Sequence, residues 1–155
     1  MAVKVNQSVI FGVKTYLEMD GSPKANLLNA LSYLRSWLGP DSWIGFYIYN
    51  KETKILDLSL FQGTPACLKI RPDRGVVGAC FSQKKDIYVP DVRQFPGYIA
   101  CDAKSASESV FYLTDAAGRV AIFDIDSPIL DGLKKKNAEL TEIAALFKPY
   151  LENLF

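Results

Sequence analysis

The sequence predicts an α+β fold, in which a mainly antiparallel central sheet is flanked by N- and C-terminal helices packed on one side. Two pairs of strand-like apolar segments each enclose a short polar turn, a pattern typical of β-hairpins. Apolar residues at helical spacing are concentrated near the two ends of the chain. Strands and helices do not alternate strictly, which disfavours a parallel sheet built from βαβ units.

Two helices are predicted before the sheet. The first ends at the turn "DGSP" (20–23) and the second at "GP" (39–40), because glycine and proline interrupt helices. Leucines recur at helical spacing along the second helix. The apolar face of the first helix is predicted to consist of Val9, Phe11, Val13, Tyr16 and Leu17.

Two hairpins supply the main strands. Residues 43–49 and 55–61 flank the polar turn "NKETK". Residues 109–114 and 119–126 flank the turn "DAAG". Each pair is short, rich in β-branched and aromatic residues and separated by turn formers, so each is expected to form antiparallel neighbours.

Shorter elements are predicted between and after the hairpins. The segment "ACLKI" (66–70) predicts a third strand, "RGVVGACFSQKK" (74–85) a short helix and "DIYVP" (86–90) a brief strand. A final helix is expected over about 133–154, with a kink or a loosened last turn at Pro149. The chain has no repeat or linker composition, so residues 1–155 are predicted to form a single domain.

Composition excludes several classes of function. Eighteen basic residues nearly balance seventeen acidic ones, so neither nucleic acid nor an anionic membrane is expected as a partner. No apolar run approaches the ~20 residues that span a bilayer, and the N-terminus lacks a signal-peptide core, which favours a cytoplasmic protein. The sequence contains no histidine, which excludes Ser-His-Asp triads, Cys-His proteases and the commonest zinc sites.

Three cysteines are too few and odd in number for a secreted disulfide framework, and they are expected to rest as thiols. Cys101 lies in a polar loop between small neighbours, where it is either a reactive thiol or an inert one. From local sequence alone, Cys67 is interpreted as a strand cysteine that faces the core, and Cys80 as a packed helix cysteine. No CxxC pair is present, so no metal site is expected.

Two aspartates lie in the last predicted strand, although aspartate is depleted in strands. Asp124 and Asp126 are two residues apart, so both should project from the face that carries Ile122. Neighbouring carboxylates make each other costly to ionise, so such a pair can bind an ammonium group and supply a proton. The alternative is a structural, hydrogen-bonded aspartate.

Seven short motifs, taken in order and spacing, closely resemble the free methionine-(R)-sulfoxide reductases, a GAF-domain family. The resemblance covers about 43–128. The motifs are "WIGFY", "FQGTPAC", "RGVVG", "VPDV", "FPGYIACD", "SxSE" and "DIDSP".

The resemblance implies reduction of free L-methionine-(R)-sulfoxide, with Cys101 as the nucleophile and Cys67 as the resolving cysteine. A sulfenic acid on Cys101 would be followed by an intramolecular disulfide that thioredoxin or another dithiol recycles, without a metal or bound cofactor. Trp43 is expected to wall the pocket. Three acids are expected to hold the substrate and assist its protonation, namely Glu108, Asp124 and Asp126.

The chain departs from the family pattern at two positions. Val77 replaces the middle cysteine of the family's "GVCG", which leaves Cys80 as a possible auxiliary thiol. Tyr98 replaces a histidine, so no imidazole assists Cys101. Two alternatives stay open: a non-catalytic GAF module that binds a small ligand, and a thiol redox sensor. The outer helices also suggest a homodimer.

Overall fold

The computed structural model describes residues 4–101 and 103–155, so Asp102 of the "IACD" motif lies outside the described residues. The elements in chain order are α1 (Gln7–Leu17), α2 (Pro23–Leu38), β1 (Trp43–Asn50), β2 (Ile55–Gln62), β3 (Lys69–Ile70), α3 (Gly75–Gln83), β4 (Ile87–Val89), β5 (Ser107–Thr114), β6 (Val120–Ser127) and α4 (Asn137–Leu146). Short 3₁₀ segments occupy Val92–Gln94, Lys134–Lys136 and Lys148–Leu154.

The six strands form one sheet in the order β3-β2-β1-β6-β5-β4. Every pairing is antiparallel, which confirms the predicted α+β class. The two hairpins β1-β2 and β5-β6 lie side by side, because β1 pairs with β6. The centre of the sheet is therefore built from the first strand of one hairpin and the second strand of the other.

Helices pack on both faces of the sheet, so the prediction that they pack on one side was wrong. The first core lies beneath α1, α2 and α4 and includes Phe46 and Phe123 of the central strands. The second core lies beneath α3 and includes Tyr47 and Ile122, which are the immediate neighbours of Phe46 and Phe123 on those strands. Alternate side chains of a strand point to opposite faces of the sheet. The central strands therefore contribute side chains to both cores, one on each face.

The ends of α2 follow standard capping. The Oγ atom of Ser22 accepts a hydrogen bond from the N–H of Ala25 at 3.2 Å, and Pro23 occupies the first turn. Gly39 ends the helix with a φ of 125°, a conformation that side chains with a Cβ rarely adopt.

Three local predictions need correction. Phe11 is 72% exposed, because α1 turns Val9, Val13 and Leu17 toward the core at intervals of four residues. The third strand covers only the end of its predicted range, since the chain after Pro65 is irregular. The helix predicted over about 133–154 is shorter in the structure, because α4 spans only Asn137–Leu146. The chain then continues as a 3₁₀ segment over Lys148–Leu154, which is the loosened end predicted at Pro149.

Gly78 gives α3 its close approach to the preceding loop. A Cβ at this position would lie 2.7 Å from the carbonyl oxygen of Arg71 and 3.2 Å from that of Pro72. We expect Gly78→Ala to destabilise the fold by about 1–2 kcal/mol, because overpacking outweighs the gain in helix propensity. Urea unfolding measures the change, and exposed Gln83→Ala in the same helix is the matched control. Equal or higher stability for Gly78→Ala would contradict this packing.

Within the described part of the chain, α-helices are too short or too polar to cross a membrane.

Candidate active site

Strand register brings the predicted acids together at one end of the sheet. Glu108 on β5 lies directly opposite Asp126 on β6, and Asp126 lies opposite Trp43 on β1. Asp124 precedes Asp126 by two residues on β6 and therefore lies on the same face of the sheet. One carboxylate oxygen from each of the three acids lies within 4.8 Å of the others. Such a cluster of hard oxygen atoms is able to bind a cation or to hold a proton.

Burial makes this cluster costly to ionise. Glu108 and Asp124 are only 6% and 5% exposed. Burial, followed by the charges of Asp124 and Asp126, raises the pKa of Glu108 well above its ordinary range. Burial also raises the pKa of Asp124 to about 6, although its hydrogen bond with Glu108 acts in the opposite direction. Glu108 is therefore the member that retains a proton and donates it toward Asp124.

Asp124 also has an unused hydrogen-bond acceptor. Its Oδ1 atom is buried and has no hydrogen-bond partner within the described residues. A buried polar atom without a partner is costly, so the site favours a ligand that donates a hydrogen bond there.

A disulfide joins Cys67 and Cys101, whose Cα atoms are 5.4 Å apart and 34 positions apart in sequence. Cys67 lies in the irregular segment before β3, so its local interpretation as a strand residue was wrong, although the half-buried side chain does pack against the second core. The expectation that it rests as a thiol also differs from the structure. The pair that the resemblance implies is therefore within bonding distance.

Side chains of β1 hold the Cys67 segment over the sheet. The hydroxyl of Tyr47 donates to the carbonyl oxygen of Cys67 at 2.9 Å. The indole N–H of Trp43 donates to the carbonyl oxygen of Thr64, also at 2.9 Å. The Trp43 ring stacks on Phe61, with ring centroids 5.4 Å apart. These contacts fix the aromatic wall and the cysteine segment relative to one another.

Cys101, Trp43 and the three acids line one pocket, which encloses about 480 Å³ including its open mouth. Sequence reasoning missed the other contributors. Tyr47 follows Trp43 by four residues on the same strand face, so the two-residue period could have identified it. The remaining additional residues come from the start of α3, from β3 and from the loops, and include Ile70, Arg74, Val76, Tyr98, Ile99 and Ser105.

Cys80 does not line this pocket. Its side chain is 0% exposed in the core beneath α3. Burial, with a smaller contribution from the charge of Asp86, raises the pKa of its thiol well above the ordinary value. A buried thiol of raised pKa is a packing group in this conformation. Val77, which replaces the family's middle cysteine, lines the pocket as an apolar residue.

The chain is similar to proteins of known family over most of its length, although no family model matches it. It is 34% identical over 129 residues to the free methionine-R-sulfoxide reductase of Escherichia coli, which covers 78% of this chain and 77% of the relative. It is 38% identical over 135 residues to GAF domain-containing protein A of Dictyostelium discoideum, covering 86% and 84%.

A comparison with solved structures indicates the same family. The free methionine-R-sulfoxide reductase of Neisseria meningitidis, determined in complex with its substrate, superposes with a TM-score of 0.85 at 27% identity. The match covers 97% of this chain and 95% of that one. The chain therefore belongs to the free methionine-R-sulfoxide reductases, a family of oxidoreductases built on the GAF fold.

Proposed function

We propose that this protein reduces free L-methionine-(R)-sulfoxide to methionine, with Cys101 as the nucleophile. The observation that carries the proposal is the Cys67–Cys101 disulfide beside a pocket that contains a buried cluster of three acids. A disulfide is the expected oxidised product of such a cycle. Family membership identifies the sulfoxide as the substrate.

The first step transfers oxygen from substrate to enzyme. The Cys101 thiolate attacks the sulfoxide sulfur and forms a sulfur–sulfur bond, while the sulfoxide oxygen gains a proton and becomes a hydroxyl. The hydroxyl then transfers from the substrate sulfur to the Cys101 sulfur, so that the sulfur–oxygen bond of the substrate and the sulfur–sulfur bond both break. Two electrons pass from Cys101 to the substrate sulfur, so methionine leaves and Cys101 becomes a sulfenic acid. Glu108 supplies the proton, because burial and its neighbours keep it protonated.

The second step forms the disulfide. The Cys67 thiol attacks the sulfenic sulfur of Cys101, and the oxygen leaves as water. A dithiol reductant of the thioredoxin type then reduces the disulfide by exchange and restores both thiols. No step in this cycle requires a metal or a bound cofactor. We assign the cycle to the cytoplasm, where dithiol reductants are maintained.

The acids and the aromatic wall bind different parts of the substrate. Asp124 and Asp126 attract the substrate's ammonium group, and Trp43 with Tyr47 gives an apolar surface for its methylthio end. A methionine sulfoxide inside a peptide lacks the free ammonium group. Burying these acids against a neutral amide would leave them without a cationic partner, which favours the free amino acid.

Cys67→Ser separates the two steps. We expect turnover with thioredoxin as reductant to fall about 100-fold or more, because no disulfide forms for exchange. Turnover with a small dithiol should persist, since it reduces the Cys101 sulfenic acid directly. The same two assays on Cys80→Ala should both resemble wild type. Equal thioredoxin-dependent turnover in Cys67→Ser would remove its resolving role.

The proposal as a whole is tested with purified protein, a dithiol and each sulfoxide epimer. Turnover of the free R epimer, but not of the S epimer or of peptide-bound sulfoxide, is expected. The disulfide by itself also favours a thiol redox sensor. That alternative, like a ligand-binding GAF module, predicts no methionine release from any of these compounds.

A further inference from the structure

The segment that carries Cys67 is irregular and largely exposed. Residues 63–68 join β2 to β3 without regular secondary structure, and Leu68 beside the cysteine is 74% exposed. The N–H of Leu58 donates to the carbonyl oxygen of Leu68 at 3.0 Å, which attaches the end of the segment to the sheet. Exposed irregular segments are more mobile than the strands that they connect. The position of the Cys67 sulfur therefore depends on contacts from neighbouring elements.

Tyr47 supplies such a contact from the centre of the sheet. Its backbone pairs with Leu58 of β2 on one side and with Ile122 of β6 on the other, and the residue is 2% exposed. Its hydroxyl donates to the carbonyl oxygen of Cys67 at 2.9 Å. Tyr47 therefore ties the backbone of the cysteine itself to a fixed point in the fold.

The surroundings of Tyr47 keep its hydroxyl a hydrogen-bond donor. Burial, followed by the charges of Asp124, Asp126 and Glu108, raises the pKa of Tyr47 well above its ordinary value. The hydroxyl thus stays protonated over the whole range in which thiols and disulfides exchange, and it does not act as a base toward either thiol. Its contribution to the redox cycle is made through the position of Cys67.

Disulfide formation requires Cys67 to meet a cysteine 34 positions away in sequence. The Cys67 thiol attacks the Cys101 sulfenic sulfur, a sulfur–sulfur bond forms, and the oxygen leaves as water. Holding reacting groups close together favours such an intramolecular step, because less conformational freedom is lost on the way to reaction. A hydrogen bond that favours the conformation in which the sulfurs meet therefore favours both the rate and the equilibrium of disulfide formation.

We propose that Tyr47 is a positioning residue for the resolving step, because its hydroxyl holds Cys67 where the sulfur of this residue reaches Cys101. The rate that this implies for the resolving step rests on the proposed function, whereas the disulfide equilibrium is independent of any sulfoxide. Tyr47 also lines the pocket with Trp43. One side chain thus borders the substrate and sets the position of the second cysteine.

Equilibration with glutathione tests the proposal without substrate. Protein is incubated in buffers that differ in the ratio of reduced to oxidised glutathione and is then alkylated, and mass spectrometry gives the disulfide fraction. We expect Tyr47→Phe to lower the equilibrium constant for disulfide formation about 2- to 10-fold, the range for one net hydrogen bond. The reduction potential rises accordingly, by up to about 30 mV.

Tyr49→Phe is the matched control for the loss of one hydroxyl. Tyr49 lies two residues further along β1, and its ring packs on Phe81 with centroids 4.3 Å apart. This variant should keep the wild-type reduction potential. An unchanged potential in Tyr47→Phe, or an equal shift in Tyr49→Phe, overturns the proposal.

Competition with dimedone, which captures sulfenic acids, measures the resolving step itself. Reduced protein is given one equivalent of L-methionine-(R)-sulfoxide at several dimedone concentrations, and captured Cys101 is compared with the Cys67–Cys101 disulfide. The dimedone concentration that captures half of the sulfenic acid should be about 2- to 10-fold lower in Tyr47→Phe than in wild type. An equal concentration in both overturns the positioning role. Absence of methionine in wild type would instead overturn the proposed function, and the glutathione equilibrium would still decide the role of Tyr47.

Discussion

Replacement of Cys101 by serine is expected to lower turnover of free L-methionine-(R)-sulfoxide by about 10³-fold or more. The hydroxyl is a far weaker nucleophile near neutral pH than a thiolate, and it forms no sulfenic acid. Cys101 lines the pocket beside the acids, whereas the buried Cys80 does not line it. Methionine release in the presence of a small dithiol measures the effect.

The control for this prediction is Cys80→Ala. Cys80 is buried in the core and does not line the pocket, so its loss should change stability slightly and turnover little. Binding of substrate to Cys101→Ser should remain near the wild-type value, because the acids and the aromatic wall are intact. Substantial turnover by Cys101→Ser would assign the nucleophile to another group.

Glu108→Gln is expected to lower kcat by about 10²- to 10⁴-fold while making the protein more stable at neutral pH. The amide cannot transfer a proton, so the general acid is lost. It keeps a donor for the Asp124 carboxylate and has no charge to bury. If Glu108 is retained for catalysis although it destabilises the fold, its replacement should lower kcat and raise stability in the same variant.

The stability effect should depend on pH. The pKa of Glu108 is raised on folding, so the folded state binds more protons than the unfolded state. The contribution of Glu108 to the free energy of unfolding is fully present below the ordinary glutamate pKa of about 4.3. It is lost as pH rises through the pKa that Glu108 has in the folded protein. The gain in stability from Glu108→Gln, relative to wild type, should therefore be small near pH 4 and grow toward pH 8.

Urea unfolding at the two pH values measures this advantage, with Glu142→Gln as the control on an exposed part of α4. In wild type, kcat should also fall as pH rises through the folded pKa of Glu108, because the donor loses its proton. A variant that is less stable than wild type at pH 8, or one with unchanged kcat, would remove Glu108 as the buried proton donor.

Features set by local periodicity could be predicted from the sequence. The shared face of Asp124, Asp126 and Ile122 follows from the two-residue period of a strand, and the structure confirms it. The hairpins follow from their polar turns. The pairing of Glu108 with Asp126 needed the register between strands, which depends on the whole sheet.

Features set by tertiary packing could not be predicted in this way. Cys67 resembles a strand residue because apolar neighbours follow it, but the chain there is irregular and is held by Tyr47. The side of the sheet that α3 covers depends on topology, since its short apolar sequence has no distinctive polar face. Arg74 resembles any exposed arginine until the fold brings its helix to the pocket.

A single-turnover experiment addresses the central chemistry most directly. Fully reduced protein is mixed with one equivalent of L-methionine-(R)-sulfoxide without reductant, and both products are followed by mass spectrometry. We expect one methionine per chain and a peptide map in which Cys67 is linked to Cys101. Methionine formed while both thiols remain free, or no methionine at all, would contradict the account.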